Sequence, residues 1–176
     1  METEEAATDM KTLILVRHAK SSAGDPSMPD KARRLNARGE ADAPMMGRRL
    51  ASRGIKPDLI VSSPAVRARM TAALIAAELD YEPAGLVVND SMYASEADRL
   101  LDVIHRLDDG LACVMLIGHN PEFTELAQRF SDEITRMPTC AVAELTFETS
   151  SWAFVGQAEP VAVGFDSPRN SPDETS

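Results

Sequence analysis

The stretch LILVRHAKSS, residues 13 to 22, is the most informative part of the chain. It opens with Leu13 to Val16, an apolar run that predicts a buried β-strand because it is β-branched and too short for a helix. Arg17 and His18 follow this run directly. In open α/β sheets, ligands bind beyond the carboxyl ends of the strands. A strand that ends on a cation and an imidazole therefore predicts a ligand site at that edge of a sheet.

Two later stretches repeat this arrangement. Residues 58 to 61 predict a second strand, and the helix predicted to begin at Pro64 carries Arg67 in its first turn. The third copy is CVMLIGHNPEF, residues 113 to 123, in which an apolar strand is followed by His119. Both later copies place a basic or imidazole side chain just after a strand, as the first copy does.

Parallel strands that end together would bring four side chains to one edge of the sheet: Arg17, His18, Arg67 and His119. Two guanidiniums, two imidazoles and two helix N-termini suit a phosphate-like dianion. Ser21 and Asn120 are further candidates for binding the phosphate. Capping and loop hydrogen bonds would explain these two without any ligand.

In such a site His18 is the expected nucleophile. Arg17, Arg67 and His119 would hold the non-bridging oxygens and leave the phosphorus open to in-line attack. Adjacent guanidiniums disfavour the protonated imidazole, and a backbone carbonyl is the expected partner of the second ring nitrogen. Attack would form a phosphohistidine intermediate, which water then hydrolyses.

These motifs resemble the histidine phosphatase superfamily, in particular its small SixA-type phosphohistidine phosphatases. The motifs are RHAKS at 17 to 21, SSPAVRARMTA at 62 to 72 and GHNP at 118 to 121, with further matches at 30 to 39, 92 to 95 and 137 to 147. The likeness covers residues 12 to 155, and Ala19 stands where many members have Gly. It implies the same roles for the four residues. It also implies a three-layer α/β/α sandwich with a mostly parallel central sheet. No large lid insertion is expected, because predicted helices and strands take up most of residues 72 to 118.

Periodicity and capping signals predict the remaining elements. Asn36 is the expected N-cap of a helix that runs to Arg53, with Pro44 as a kink or a delayed start. Further helices are predicted at 64 to 79, 96 to 107 and 121 to 130, and strands at 85 to 88, 112 to 117 and 141 to 147. Residues 152 to 155 and 161 to 164 are predicted as edge strands.

Length and charge predict one domain with polar ends. The chain has 176 residues and a formal net charge of −10. We expect a disordered acidic N-terminus over 1 to 10, a single domain over 11 to 165 and a disordered tail over 166 to 176. The two ends carry −4 and −2, so the body is only mildly acidic. Such a chain is a poor general binder of nucleic acid.

The sequence also bears on whether the protein needs a cofactor and on its cellular compartment. Cys113 and Cys140 have the spacing of neither a disulfide framework nor a metal site. The sequence shows no apolar leader and no membrane-length run, so we expect a cytoplasmic protein without a membrane partner. A metal between His18 and His119 is disfavoured because two arginines would repel the cation. We therefore expect no cofactor.

The general acid and the substrate stay open at this point. The candidate acids are Asp25, Asp30, Glu96 and Glu122, none with a supporting spacing, and Asp30 could equally tie down the loop 19 to 35. Phosphohistidine tolerates a missing acid, because its imidazole can take a proton from solvent near pH 7. An open pocket favours phosphohistidine on a protein. The alternatives are a small phosphoester or nucleotide-derived metabolite, and a phosphoprotein-binding module without turnover, which the intact His18 disfavours.

Overall fold

Six strands and four helices build the part of the chain that the computed structural model describes, residues 9–169. The strands are β1 (Met10–Arg17), β2 (Leu59–Ser62), β3 (Val87–Val88), β4 (Cys113–Gly118), β5 (Val142–Glu148) and β6 (Ala162–Asp166). The helices are α1 (Ala37–Ser52), α2 (Val66–Glu78), α3 (Ala97–His105) and α4 (Glu122–Phe130). None of these helices combines the length and the apolar character of a membrane span.

The strands form one mixed sheet in the order β3-β2-β4-β1-β5-β6. The first four are mutually parallel, β5 is antiparallel to β1, and β6 is antiparallel to β5. Arg17 of β1 pairs with Gly118 of β4, and Ser62 of β2 pairs with Ile117. The carboxyl ends of β1, β2 and β4 are therefore level with one another.

Helices cover both faces of the sheet. Successive side chains of a strand point to opposite faces, so Leu13 and Leu15 pack in one layer with α3 and α4. Ile14 and Val16 pack in the other layer with α1 and α2. The prediction of a three-layer α/β/α sandwich with a mostly parallel sheet is confirmed. Between α2 and β4 the chain forms only β3, two single-turn helices and α3, so this connection holds no large lid.

Local signals set the start of α1. The side chain of Asn36 accepts a hydrogen bond from the Gly39 amide at 3.0 Å, as an N-cap does. Pro44 does not delay the helix, which starts at Ala37 and runs through Pro44 to Ser52, packed against α2. A Cβ on residue 39 would lie 2.1 Å from the Lys20 carbonyl oxygen. Glycine is therefore needed where the loop after β1 crosses the start of this helix.

Two predicted elements differ in the structure. Helix α2 begins at Val66, two residues after the predicted start at Pro64. Just ahead of the helix, the Ser63 hydroxyl accepts a hydrogen bond from the Ala65 amide and bonds His119. Residues Trp152–Phe154 form a single-turn helix instead of an edge strand. The indole of Trp152 is fully buried and donates to the Leu111 carbonyl at 2.8 Å, which holds the segment against the core.

The ordered structure reaches slightly beyond the predicted domain boundaries of 11 and 165. Met10 opens β1 and Asp166 closes β6. Arg169 then forms an ion pair with the buried carboxylate of Asp42 at 3.1 Å, so the first residues of the predicted tail are fixed to α1. The rest of the two segments that we predict to be disordered, 1–8 and 170–176, lies outside the described residues.

Candidate active site

Parallel strand ends place the two candidate histidines side by side. Arg17 is the last residue of β1 and His18 follows it, while His119 follows the last residue of β4. The His18 amide donates to the Gly118 carbonyl at 2.9 Å and so extends the pairing of the two strands by one bond. As a result, the two imidazole rings lie with their centroids 5.2 Å apart.

Arg67 joins both imidazoles from the first turn of α2. Its Nε lies 3.3 Å from Nε2 of His18, and its Nη2 lies 3.4 Å from Nδ1 of His119. All three side chains are buried, with 6 to 7% of their surface exposed. With Arg17 they line one cavity of about 340 Å³. The four predicted side chains therefore converge.

Arg17 approaches this cavity with one donor unused. Its Nη1 donates to the Met137 carbonyl at 3.1 Å. Its Nε is buried and has no hydrogen-bond partner within residues 9–169. A buried donor without a partner is costly, and a bound oxyanion could satisfy it. Burial lowers the pKa of this guanidinium, but an arginine side chain still stays charged at neutral pH.

The ring of His18 is held in one tautomer. Its Nδ1 lies 2.7 Å from the Ala19 carbonyl oxygen, which can only accept, so Nδ1 carries the hydrogen. This is the backbone acceptor expected from the sequence. The lone pair is then on Nε2, which faces Arg67. Burial lowers the pKa of His18 to about 3, and the charges of neighbouring Arg67 and Arg17 add to the effect.

His119 is held from the opposite side. Its Nε2 lies 2.7 Å from the Ser63 hydroxyl oxygen, and its Nδ1 lies 3.4 Å from Nη2 of Arg67. Burial lowers the pKa of this ring to about 4, and Arg67 lowers it further. Both imidazoles are therefore neutral at pH 7. The sequence predicts Ser63 only as a helix N-cap, a position that Ala65 takes in the structure, and not as a partner of His119. Its place just after β2 nevertheless signals the same sheet edge.

Thr71 couples the nucleophile loop to the arginine helix. Its hydroxyl accepts from the Ala19 amide at 3.0 Å and donates to the Arg67 carbonyl at 2.7 Å. Thr71 is fully buried one turn after Arg67, on the same face of α2. The contact fixes the backbone beside His18 relative to the helix that carries Arg67.

Asp30 is the candidate acid that contacts Arg67. Its carboxylate accepts from Arg67 Nη2 at 3.0 Å and from the Tyr93 hydroxyl at 2.7 Å, while its backbone carbonyl accepts from Arg67 Nη1 at 2.8 Å. The Tyr93 hydrogen bond and then Arg67 lower the pKa of this carboxyl. Tyr93 also meets the ring of His119 edge-on, with centroids 5.7 Å apart. Sequence reasoning missed Tyr93, although it lies in the segment 92 to 95 that carries the resemblance.

The other three candidate acids lie in different surroundings. Asp25 is exposed and bonds its own turn at Ser27. Glu96 is exposed at the start of α3 and does not line the cavity. Glu122 lines the cavity and is buried, and this burial raises the pKa of its carboxyl.

The two weaker phosphate-binding candidates have protein partners. The Ser21 hydroxyl accepts from Arg33 and lines a neighbouring cavity. Asn120 lines the first cavity, but its Nδ2 donates to the Met137 carbonyl at 2.9 Å and its Oδ1 accepts from the Thr124 amide and hydroxyl. Capping and loop bonds therefore account for both side chains.

The geometry defines an anion site at the sheet edge of an α/β protein. Two guanidiniums and two neutral imidazoles meet there, and one imidazole presents an unprotonated nitrogen. No group of three His, Cys, Asp or Glu side chains in residues 9–169 is placed to hold a metal ion. This arrangement suits transfer of a phosphoryl group to nitrogen.

Similar proteins agree with this class. Residues 13 to 87 match the histidine phosphatase superfamily (branch 1). An uncharacterised chloroplastic protein of Arabidopsis thaliana is 34% identical over 150 residues, which span 81% of this chain and 69% of that protein. An Agrobacterium tumefaciens structure, solved as a candidate SixA phosphohistidine phosphatase, superposes with a TM-score of 0.71 at 29% identity over 77% of this chain and 90% of that one.

A third match concerns the fold alone. The structure of a protein histidine phosphatase SixA complexed with tungstate superposes with a TM-score of 0.72 at 22% identity, over 89% of this chain and 97% of that one. This chain belongs to the histidine phosphatase superfamily, and its fold is of the SixA type. It is a phosphatase of that superfamily.

Proposed function

We propose that the protein removes the phosphoryl group from phosphohistidine on another protein, through a covalent phosphohistidine intermediate on His18. The observation that carries this proposal is the orientation of the His18 ring. Its Nδ1 is held by the Ala19 carbonyl, and its unprotonated Nε2 lies at the cavity, where it accepts from Nε of Arg67 at 3.3 Å. A nucleophile with this tautomer needs no base to remove a proton.

The reaction follows from the charges around this nitrogen. Arg17, Arg67 and His119 bind the non-bridging oxygens, and Nε2 of His18 attacks the phosphorus as the bond to the substrate nitrogen breaks. The departing imidazole takes a proton from solvent. Water then attacks the phosphorus of the intermediate, releases inorganic phosphate and regenerates neutral His18. The lowered pKa of His18 keeps the ring neutral throughout the physiological pH range.

The state of Asp30 supports phosphohistidine as the leaving group. Asp30 is paired with Arg67 and Tyr93, and its lowered pKa makes it a poor proton donor. Phosphorylated imidazole needs little help to leave near pH 7, whereas an alkoxide needs an acid. The lack of a large lid over this edge leaves room for a side chain on a protein surface. The name of the Agrobacterium tumefaciens structure supports the same substrate class.

Substrate comparison tests the proposal. A phosphohistidine peptide and a phosphoserine peptide of the same sequence are assayed for release of inorganic phosphate. We expect a strong preference for phosphohistidine. Equal or faster release from phosphoserine would contradict the substrate proposal and favour a phosphoester instead.

Trapping tests the covalent step. Brief reaction with a ³²P-labelled substrate and quenching in alkali should leave acid-labile label on the wild type and none on His18→Ala. His105→Ala is the matched control, since this histidine lies in α3 and bonds the Val155 carbonyl away from the cavity. Binding without turnover in the wild type would favour a phosphoprotein-binding module. Loss of turnover in chelator would favour a metallophosphatase.

We further propose that residues 11–165 form a single domain that works in a reducing compartment, the cytoplasm. Cys113 and Cys140 are both free thiols, and burial raises the pKa of each to about 12, which makes them inert. Fractionation of cells that produce the protein would test the compartment.

A further inference from the structure

A second cavity adjoins the active site on the side of the loop after β1. It has a volume of about 490 Å³ and shares the side chains of Arg17, His18 and Arg67 with the first cavity. Lys20 and Arg33 are among the residues that line only this second space, which we call the Lys20 pocket. A group bound there would lie next to a phosphoryl group at His18.

The two cavities carry different charges. Asp30 and Glu122 line the first cavity. No carboxylate of residues 9–169 lines the Lys20 pocket, although the chain as a whole has a net charge of −10. Four cations face that pocket: Arg17, Lys20, Arg33 and Arg67. The site is therefore more positive than the phosphoryl group alone requires.

Three of these four cations have an anion that balances their charge. Arg33 donates to the Ser21 hydroxyl, to the Ser22 carbonyl at 3.1 Å and to Asp30 at 3.0 Å, so it forms a fixed wall whose charge Asp30 offsets. A phosphoryl dianion balances the charges of Arg17 and Arg67. The ammonium of Lys20 is exposed and has no hydrogen-bond or ion-pair partner in the described part of the chain. One positive charge is therefore left over.

Two contacts hold the backbone of Lys20 in place. The Lys20 carbonyl accepts from the Asn36 amide at 3.0 Å and lies against Gly39 at the start of α1. Lys20 is also only two residues after the nucleophile. Its flexible stem is thus anchored at a fixed distance from His18, and its ammonium can reach an anion next to the phosphoryl site.

From this geometry we infer that the Lys20 pocket binds a second anionic group of the substrate, a carboxylate near the phosphorylated atom. The inference rests on the proposed function and narrows it: the phosphohistidine that this protein prefers has an acidic residue beside it. Lys20 is then a specificity residue that acts by charge, with a contact that weakens in high salt.

Paired peptides test the inference. Two phosphohistidine peptides differ only in the flanking residues, glutamate in one and glutamine in the other. For the wild type we expect kcat/KM to be about fivefold higher for the acidic peptide, the effect of one partly exposed ion pair. Lys20→Met should remove the preference, and Lys20→Glu should invert it. Lys56→Glu is the matched control, since Lys56 is exposed before β2, at the opposite end of the sheet.

The outcomes separate the inference from the proposed function. If both peptides are turned over at the same rate, in the wild type and in Lys20→Met alike, the inference about the Lys20 pocket is wrong. The proposed function would not be contradicted by that result. If neither peptide is used, phosphoglycolate and ethyl phosphate are compared, because the first carries a carboxylate and the second does not. A Lys20-dependent preference for phosphoglycolate would support the pocket with a small-molecule source of the anion. The absence of that preference as well would overturn the inference.

Discussion

Arg67 and His18 are joined by a 3.3 Å contact between Nε of the guanidinium and Nε2 of the imidazole. This contact exists because α2 starts beside the end of β2 and the loop after β1 is tied to α2 through Thr71. The same guanidinium also reaches His119 and Asp30. Arg67 is therefore the side chain that connects the proposed nucleophile to His119 and to Asp30.

The two active-site histidines should stay neutral well below the usual imidazole pKa. Their pKa values are lowered to about 3 for His18 and about 4 for His119, mainly by burial. Heteronuclear NMR of the ring nitrogens should show both rings uncharged at pH 5. A midpoint for either site near the ordinary value of about 6.5 would contradict the electrostatic account.

The same shifts predict how stability depends on pH. Between the folded pKa values and about 6.5 the unfolded chain binds protons that the folded chain does not, so stability falls as the pH is lowered through this window. In urea unfolding, His119→Asn should show a weaker loss of stability between pH 6.5 and pH 4 than the wild type. An unchanged slope would show that other groups govern this acid sensitivity.

Asp30 should position Arg67 through its carboxylate. Asp30→Asn removes a charge-assisted hydrogen bond to Arg67, and we expect kcat/KM for phosphohistidine peptide to fall about tenfold. Tyr93→Phe removes the hydroxyl that bonds the same carboxylate and should have a smaller effect in the same direction. The double variant should lose less than the sum of the two in free energy.

The control for this double-mutant cycle is Asp25→Asn. Asp25 lies on the same loop and is exposed, and its carboxylate accepts from the amide and hydroxyl of Ser27 in its own turn. Independent, additive effects of the Asp30 and Tyr93 substitutions would contradict the proposed coupling. Tighter binding of vanadate to Asp30→Asn would show that Asp30 acts mainly by opposing the cations.

Glu122 should matter for ester substrates. It is the buried carboxyl at the cavity whose pKa is raised, so of the four candidate acids it is best suited to donate a proton. Glu122→Gln should lower the turnover of alkyl phosphates more than that of phenyl phosphates, whose better leaving groups need less protonation. Equal loss for both ester classes would exclude Glu122 as the general acid.

Gly39 should be required for the loop after β1 to pack on α1. A Cβ at this position would lie 2.1 Å from the Lys20 carbonyl oxygen, and we expect Gly39→Ala to cost at least about 2 kcal/mol of unfolding free energy. Gly54→Ala is the comparison, since residue 54 has a φ of +75° but an added methyl group would meet no atom within 4 Å, and about 1 kcal/mol is expected there. Urea unfolding measures both. A smaller loss for residue 39 than for residue 54 would contradict the steric account.

Local sequence was sufficient to predict the sheet edge and the four side chains that meet there. Arg17 is the last residue of β1, and His18 and His119 are the first residues after β1 and β4. Because these parallel strands are paired in register, their ends lie together. The N-cap at Asn36 was equally predictable, because its bond to the Gly39 amide is local. Such features depend on neighbours in the chain and on the regular geometry of strands and helices.

The side chains that surround these four became known only from the folded chain. Tyr93 meets His119 and Asp30 across long stretches of chain, Ser63 bonds His119, and the Trp152 segment forms a helical turn because its indole is buried in the core. These contacts depend on the paths of loops, and loop paths follow from packing between elements that lie far apart in sequence. Local propensity carries no information about such partners, which is why the second cavity around Lys20 was visible only in three dimensions.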